Sequence, residues 1–370
     1  MLNKFKLLIV EDDTGVVQTY ERRIQLFNQK QNLLTEEIKY EFSTDIAKNK
    51  SEAIEKISNL ENSYDGAIID LDLEGRGGED SSGLDVIQYI KNNERFPVFI
   101  ISGTTHQLSE DEDITENDLY RIFVRGEDFD FIQEFVNIHS TGITDILNRT
   151  GKIEEFINTI YWKHLSTSLL PWIEDSIRTE EDKKQSLIRY CIMHLQEYLD
   201  ISTGESSKFS NYFPAEFFIT GPIKNYIFTG DIFEYESNFY TVITPACDLG
   251  NGKANKVLCL KVNNLNEIDN VFDKKEVTGK IKSYFSNKFD RYHFVPSLYF
   301  KGKKYPAGLL DFQNQVSFDF DLFSTNDQVK RIATISQPFL KDLIARYARY
   351  YSRQGAPDIS REQLEGIFLE

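Results

Sequence analysis

Four short runs of consecutive apolar residues punctuate the first third of the chain: Leu7–Val10, Ala67–Ile69, Val98–Ile101 and Ile122–Val124. Runs that are apolar at every position suit strands covered on both faces, as in a parallel sheet. Ile38–Phe42 alternates instead and predicts a further strand. The intervening text has helical periodicity. Val16–Phe27 follows Thr14, and Ser51–Leu60 sets Ala53, Ile54, Ile57 and Leu60 on one face. Leu84–Ile90 follows a Gly-rich loop, and Phe129–Ile138 follows Asp128, a residue type suited to an N-cap. Strand and helix alternate five times over, which predicts a doubly wound α/β domain.

From residue 140 to 200 the pattern is helical throughout. Ile153, Phe156, Ile157 and Ile160 share one face, and Leu187, Ile188, Cys191 and Leu195 another. Beyond Phe209, aromatic and β-branched residues alternate with polar ones, and turns recur at Thr229-Gly230-Asp231, Asn251-Gly252 and Lys301-Gly302. Pro338–Ser352 returns to helix and is stopped by Gly355-Ala356-Pro357. The expected organisation is an α/β domain over residues 1–139, a helical connector over 140–204 and a β-rich (α+β) domain over 205–370 that ends in a helix.

Charge separates the same modules. Residues 1–140 hold 29 Asp+Glu against 14 Lys+Arg, whereas residues 141–370 hold 30 against 28. So acidic a front domain is a poor nucleic-acid ligand, because phosphate contact needs Lys and Arg. The three cysteines form no CxxC pair, which argues against a disulfide framework or a zinc site. No apolar run is long enough to span a bilayer. The opening MLNKFKLLIVEDD turns acidic after four apolar residues, unlike a secretory leader. A cytoplasmic location without membrane contact is expected.

In an open parallel sheet, ligands bind beyond the carboxyl ends of the strands. Here those ends carry Glu11-Asp12-Asp13, Asp70-Leu71-Asp72, Ser102-Gly103-Thr104 and Arg125. Each alone is more often an ordinary feature: a solvated turn or helix cap at Glu11-Asp12-Asp13, a strand-end acid at Asp70, a turn at Ser102-Gly103-Thr104. Together they gather acidic, hydroxyl and cationic groups at one edge. Oxygen ligands of this kind suit Mg²⁺. A carboxylate there can also attack a phosphoryl donor while the metal offsets developing charge.

LLIVEDD, AIIDLDL and FIISGT, in this order and spacing, resemble the receiver domains of two-component response regulators, over about residues 4–138. The resemblance implies a flavodoxin-like fold. It makes Asp70 the phosphoacceptor, with Glu11, Asp12, Asp70 and the backbone carbonyl of Asp72 as Mg²⁺ ligands. Ser102 matches the hydroxyl that follows the phosphoryl group. It further implies a sensor histidine kinase or phosphotransfer protein as partner, and a homodimer through the receiver as one consequence of phosphorylation. Two features depart from the family. Arg125-Gly126 stands where a Lys is usual, and the loop Glu74–Gly83 is long, Gly-rich and acidic. Arg keeps the charge but is longer and forked.

The back half carries weaker signals and no family resemblance. Tyr240–Leu249 reads as a strand ending in Cys247-Asp248. The pair is expected to be a buried small Cys beside a turn-capping Asp, rather than a nucleophile beside an acid with His293 as a distant partner. Lys253–Lys304 holds 12 Lys+Arg against 5 Asp+Glu with interleaved aromatics, including Tyr284, Phe285, Phe289, Tyr292 and Phe294. Arg346, Arg349 and Arg353 recur at helical spacing beside Tyr347, Tyr350 and Tyr351. Such patches suit nucleic acid, but the near-neutral charge of the module favours an ordinary solvated surface. The expectation is therefore a response regulator whose output activity the sequence leaves open. The alternatives are a receiver-controlled enzyme acting on nucleic acid or nucleotide through Asp248, Lys261 or His293, and an interaction scaffold built on a pseudo-receiver.

Overall fold

The computed structural model describes residues 2–35, 38–73, 82–103, 116–126, 129–200, 211–264, 291–325, 328–353, 360–362, 365 and 367. The chain divides into two compact units, Met1–Phe209 and Ser210–Glu370. The expected boundary at 204/205 falls outside the described residues, as do the 74–81 part of the acidic loop, Asp128, Tyr284, Phe285 and Phe289.

The first unit begins with β1 (Leu2–Val10), α1 (Thr14–Leu33), β2 (Lys39–Ala47), α2 (Lys50–Ser58), β3 (Gly66–Ile69), α3 (Ser82–Asn93), β4 (Val98–Ser102), β5 (Tyr120–Val124) and α4 (Phe131–His139). The five strands are all parallel, in the order β2-β1-β3-β4-β5. This is a flavodoxin-like arrangement. Successive strand residues feed opposite layers. Leu8, Val10, Ala67, Ile69 and Ile100 pack on Ala53 and Ile57 of α2 and on Val86, Ile87 and Ile90 of α3. Leu7, Ile9, Ile68, Phe99 and Ile101 pack on Tyr20 and Ile24 of α1 and on Phe131 and Phe135 of α4. Two buried layers are why the strand text is apolar throughout.

Several boundaries differ from expectation. Helix α1 runs six residues past Phe27 because Asn28 bonds both the N–H and the C=O of Phe42, which ties its last turns to the edge strand. Leu60 lies beyond α2 and is 86% exposed, whereas Ile57 is buried. Asp130 caps α4 through the Gln133 N–H.

Helices α5 (Ile143–Leu147), α6 (Lys152–Ile160) and α7 (Glu180–Asp200) follow. A π-helical turn, Tyr161–Leu165, extends α6 toward α7. The two run antiparallel, with Phe156 stacked on Tyr198, His164 near His194, and Trp172 against Tyr190.

The second unit is β-rich. Strands β6 (Phe218–Thr220), β7 (Asp231–Tyr235), β8 (Asn238–Val242), β9 (Lys256–Asn264), β10 (Tyr292–Val295), β13 (Gly308–Asp319) and β14 (Lys330–Ile335) form an antiparallel sheet ordered β10-β13-β9-β8-β7-β14-β6. Strands β11 (Leu298–Phe300) and β12 (Lys303–Tyr305) make a separate hairpin. Helix α8 (Gln337–Ser352) covers one face, setting Leu340 and Leu343 against Phe217, Leu310, Phe312 and Ile332. Phe233, Val242, Val257 and Cys259 fill the other side with Phe318 and Phe323. The turn joining β7 and β8 places Glu236 and Ser237 at φ 48° and 60°, the twist that tight hairpins favour. Asp231, 1% exposed, accepts from Thr334 and pairs with Arg331 at 2.8 Å, fastening β14 to β7.

Candidate functional site

The site lies at the carboxyl edge of the parallel sheet. Extending β1, the Glu11 N–H bonds the Ala47 carbonyl, and the Asp70 N–H bonds the Val10 carbonyl, so the first residue past each strand is still held by the sheet. Asp13 turns the chain into α1 by accepting from Gly15 and Val16, a role open to a short acidic side chain at an N-cap. That frees Glu11 and Asp12 for other work. Helix α3 starts directly against the other side of the site. A Cβ on Gly83 would come within 2.3 Å of the Asp70 carbonyl oxygen and 2.6 Å of the Leu71 Cα. Only glycine fits there.

Carboxylate oxygens of Glu11, Asp12 and Asp70 all lie within 4.8 Å of one another. Glu11 and Asp70 are buried, at 2% and 6% exposure, and Asp12 is exposed. Asp70 accepts hydrogen bonds from the Ser102 hydroxyl and, at 2.9 Å, from the Leu71 N–H. Arg125 reaches in from the end of β5. Its Nη2 donates to Glu11 Oε2 at 2.6 Å and to Asp70 Oδ2 at 2.8 Å, and the side chain is about one-third exposed. The Arg125 N–H bonds the Ser102 carbonyl, and Gly126 follows at φ 100°.

Burial sets the electrostatics. Loss of hydration, reinforced by neighbouring Asp70, pushes Glu11 up to about 7, despite Arg125. Burial also raises Asp70, opposed by the Arg125 charge and by the Ser102 and Leu71 hydrogen bonds. The two acids in turn strengthen the hold of Arg125 on its proton. A buried pair of acids answered by a single guanidinium is short of positive charge. A hard divalent cation would supply it, and the donor set, all carboxylate oxygen with one solvent-facing member, suits Mg²⁺ or a similar ion.

The strand ends bring Glu11, Asp12, Asp70, Ser102 and Arg125 into one cluster. Asp72 is half-buried in the loop leaving β3 and is not one of the clustered carboxylates; only its backbone carbonyl was assigned there by resemblance. What the residue types did not disclose is that one guanidinium nitrogen bridges the two buried acids.

Groups singled out in the second unit do not assemble. Cys247-Asp248 sits on a short helix, Ala246–Gly250, beyond the end of β8 rather than on a strand, and Cys247 is exposed rather than buried, with its thiol 3.6 Å from Asp248 Oδ1. His293 is 1% exposed and bonds Asp342 at 3.2 Å and the Phe294 carbonyl, inside the packing between β10 and α8. Lys261 lies in mid-β9. The Arg stripe of α8 is not one surface, since Arg346 is 4% exposed and donates to the Tyr292 carbonyl. Among the described residues the site at the sheet edge is the one group of three or more ligand side chains close enough to share an ion.

No protein-family model matches the chain, and no curated protein does. Solved structures similar to the N-terminal ~37% of the chain include response regulator receiver domains. The N-terminal domain of a response regulator/sensory box/GGDEF protein from Carboxydothermus hydrogenoformans is 19% identical, covering 37% of this chain and 98% of its own, with a TM-score of 0.28. The receiver domain of PhyR from Erythrobacter litoralis is 17% identical over 37% of this chain and 89% of its own, with a TM-score of 0.27. RcsB from Salmonella enterica, bound to promoter rprA in the presence of BeF3-, is 16% identical over 52% of this chain and 92% of its own, with a TM-score of 0.26. No helix among the described residues is long and apolar enough to cross a membrane.

Proposed function

We propose that the chain is a response regulator whose first domain receives a phosphoryl group on Asp70, with Mg²⁺ bound by Glu11, Asp12 and Asp70 and by the backbone carbonyl of Asp72. The donor is a sensor histidine kinase or phosphotransfer protein, and phosphorylation controls the β-rich domain, with residues 140–204 as connector. The observation that carries this reading is the close cluster of Glu11, Asp12 and Asp70 with Ser102 and Arg125, at the edge where a flavodoxin-like sheet binds ligands.

The bound metal supplies positive charge to the phosphoryl oxygens. The chain's own residues do the rest. Asp70 attacks phosphorus through a carboxylate oxygen and the donor's bond breaks in line. Buried among Val10, Leu71 and Gly83, it is held in one orientation and shielded from bulk water. To reach the new phosphoryl oxygens, Ser102 and Arg125 give up their present bonds to the Asp70 carboxylate. That exchange of partners couples the reaction to β4 and β5, the elements that carry them.

Arg125 also supports a second reading. Its guanidinium already answers both buried acids, so a pseudo-receiver that runs without metal is the alternative. Acetyl phosphate or beryllofluoride with Mg²⁺ separates the two. On the first reading, intact mass rises by about 80 Da in the wild type and not in Asp70→Asn. Absence of any gain with acetyl phosphate, together with no Mg²⁺ effect on stability, would leave the pseudo-receiver.

A further inference from the structure

The hairpin of α6 and α7 leaves much of its apolar surface uncovered. At 3.6 residues per turn, the apolar and aromatic positions of α7, from Tyr190 through Leu187, Cys191 and Leu195 to Ile192, sweep roughly 200° of its circumference. A helix packed on one neighbour needs only about half of that. The half containing Tyr190, His194 and Tyr198 meets α6, its extension and Trp172 in the segment that follows. The other half does not: Ile188, Ile192 and Leu199 are 52%, 58% and 62% exposed. The preceding helix repeats the pattern, with Ile160 buried while Ile157, Tyr161 and Trp162 are 46%, 55% and 71% exposed. In both helices the arc runs on past the shared seam in the direction of increasing residue number. For an antiparallel pair, that direction leads to the same side. The hairpin therefore presents a broad apolar face two helices wide.

We propose that this face is a dimer interface, covered by the same hairpin of a second copy to make a four-helix bundle. Area and shape both favour a second copy. The six exposed residues named above offer roughly 700 Å² per protomer, against about 800 Å² per partner, little more than half of it apolar, in a standard-sized interface. A face formed equally by two antiparallel helices meets its own copy across a two-fold axis, each hairpin closing the other's open side. The bundle would join two chains next to their receivers, since Glu154 of α6 is paired with Arg95 at 2.6 Å, two residues beyond α3. It is a different surface from a receiver-to-receiver contact.

Sedimentation velocity of the full chain over a dilution series tests this, with Ile188→Glu/Ile192→Glu as the disrupting variant. The expected result is a wild-type dimer in the micromolar range and a dissociation constant raised at least about 100-fold in the variant. Circular dichroism must show its helices intact, and Ile192→Leu must still dimerise. Should the double variant misfold, Ile192→Ala and Leu199→Ala are read in its place. A Trp172→Phe background isolates Trp162, whose emission should shift to the red as the dimer is diluted apart. A wild type that stays monomeric at about 100 μM overturns the proposal, whether Trp162 emits as exposed or as covered by another part of its own chain. So does a dimer whose dissociation constant none of these substitutions moves.

Discussion

Arg125 balances the two buried acids of the site, so its removal has a calculable cost. Arg125→Ala leaves Glu11 and Asp70, 2% and 6% exposed, without the guanidinium that bonds both. Breaking a buried ion pair by deleting one partner costs about 3–5 kcal/mol. Two features lower that figure here. The guanidinium is about one-third exposed, so water already screens part of the attraction. Glu11, already raised to about 7, can also escape by taking a proton. A loss of about 2–3 kcal/mol at neutral pH without metal is the result. At about 2–4 °C per kcal/mol for a unit of this size, the first thermal transition should fall by roughly 5–10 °C.

Divalent cations offset the loss. With the guanidinium gone, the cation that bonds both carboxylates no longer competes with a metal, so Mg²⁺ should bind the variant more tightly than the wild type. A cation at about 100 times its dissociation constant contributes about 2.7 kcal/mol, enough to return most of the lost stability. Scanning calorimetry of both proteins in EDTA and across a Mg²⁺ titration measures this. Equal transitions in EDTA would refute the claim that Arg125 is the counter-charge, and an unchanged Mg²⁺ response would refute competition.

Other predictions concern single residues. His139, 3% exposed, stacks on Phe5 at 3.9 Å and is pushed down to about 4 by burial. The unfolded chain therefore binds the extra proton between about 6.5 and 4. Stability from this residue is complete above 6.5 and declines by up to about 3 kcal/mol as pH falls through that window. Urea titrations at pH 7 and pH 4.5 should differ less in His139→Phe than in the wild type. Gly83→Ala forces a methyl onto the Asp70 and Leu71 backbone, and should cost more than about 2 kcal/mol by displacing α3. The check is its urea midpoint, together with loss of acetyl phosphate labelling. Leu343→Ala empties a fully buried position under α8 and should cost about 2–5 kcal/mol. Because residues 210–370 form their own compact unit, that loss should appear in one calorimetric transition and leave the other in place.

The front of the molecule was legible because two levels of its text agree. Leu7–Val10, Ala67–Ile69 and Val98–Ile101 are apolar at every position, the mark of strands covered on both faces, and each ends in a residue able to handle phosphate or metal. Helix ends were harder to read. Propensity alone stops α1 near Phe27, while the Asn28 bonds to Phe42 that prolong it join residues 14 positions apart. In the back half, alternation disclosed strands but not their pairing order. The sheet places β13 beside β9 and β14 beside β7, contacts between segments dozens of residues apart, and local pattern does not encode such pairings. His293 shows the same limit for chemistry: as a residue type it is a candidate catalyst, and only burial between β10 and α8 reveals a packing role.

Arg125 marks where reading and geometry give different kinds of answer. As a letter in the chain it is a cation in the place of another cation, a change in length and shape. In the fold, one of its nitrogens bridges the two buried acids, which makes it both the partner those acids rely on and a rival of any metal they bind. Its rigid fork of five donors can meet phosphate bidentately, where an ammonium offers three donors from a single point. If the site works as a receiver, the energy released when phosphate takes this guanidinium from Glu11 and Asp70 is spent at β5, where the backbone turns through Gly126. If it does not, the same two bonds keep the domain folded without metal. The difference between a switch and a scaffold thus reduces to whether Mg²⁺ can displace one nitrogen atom from two oxygens.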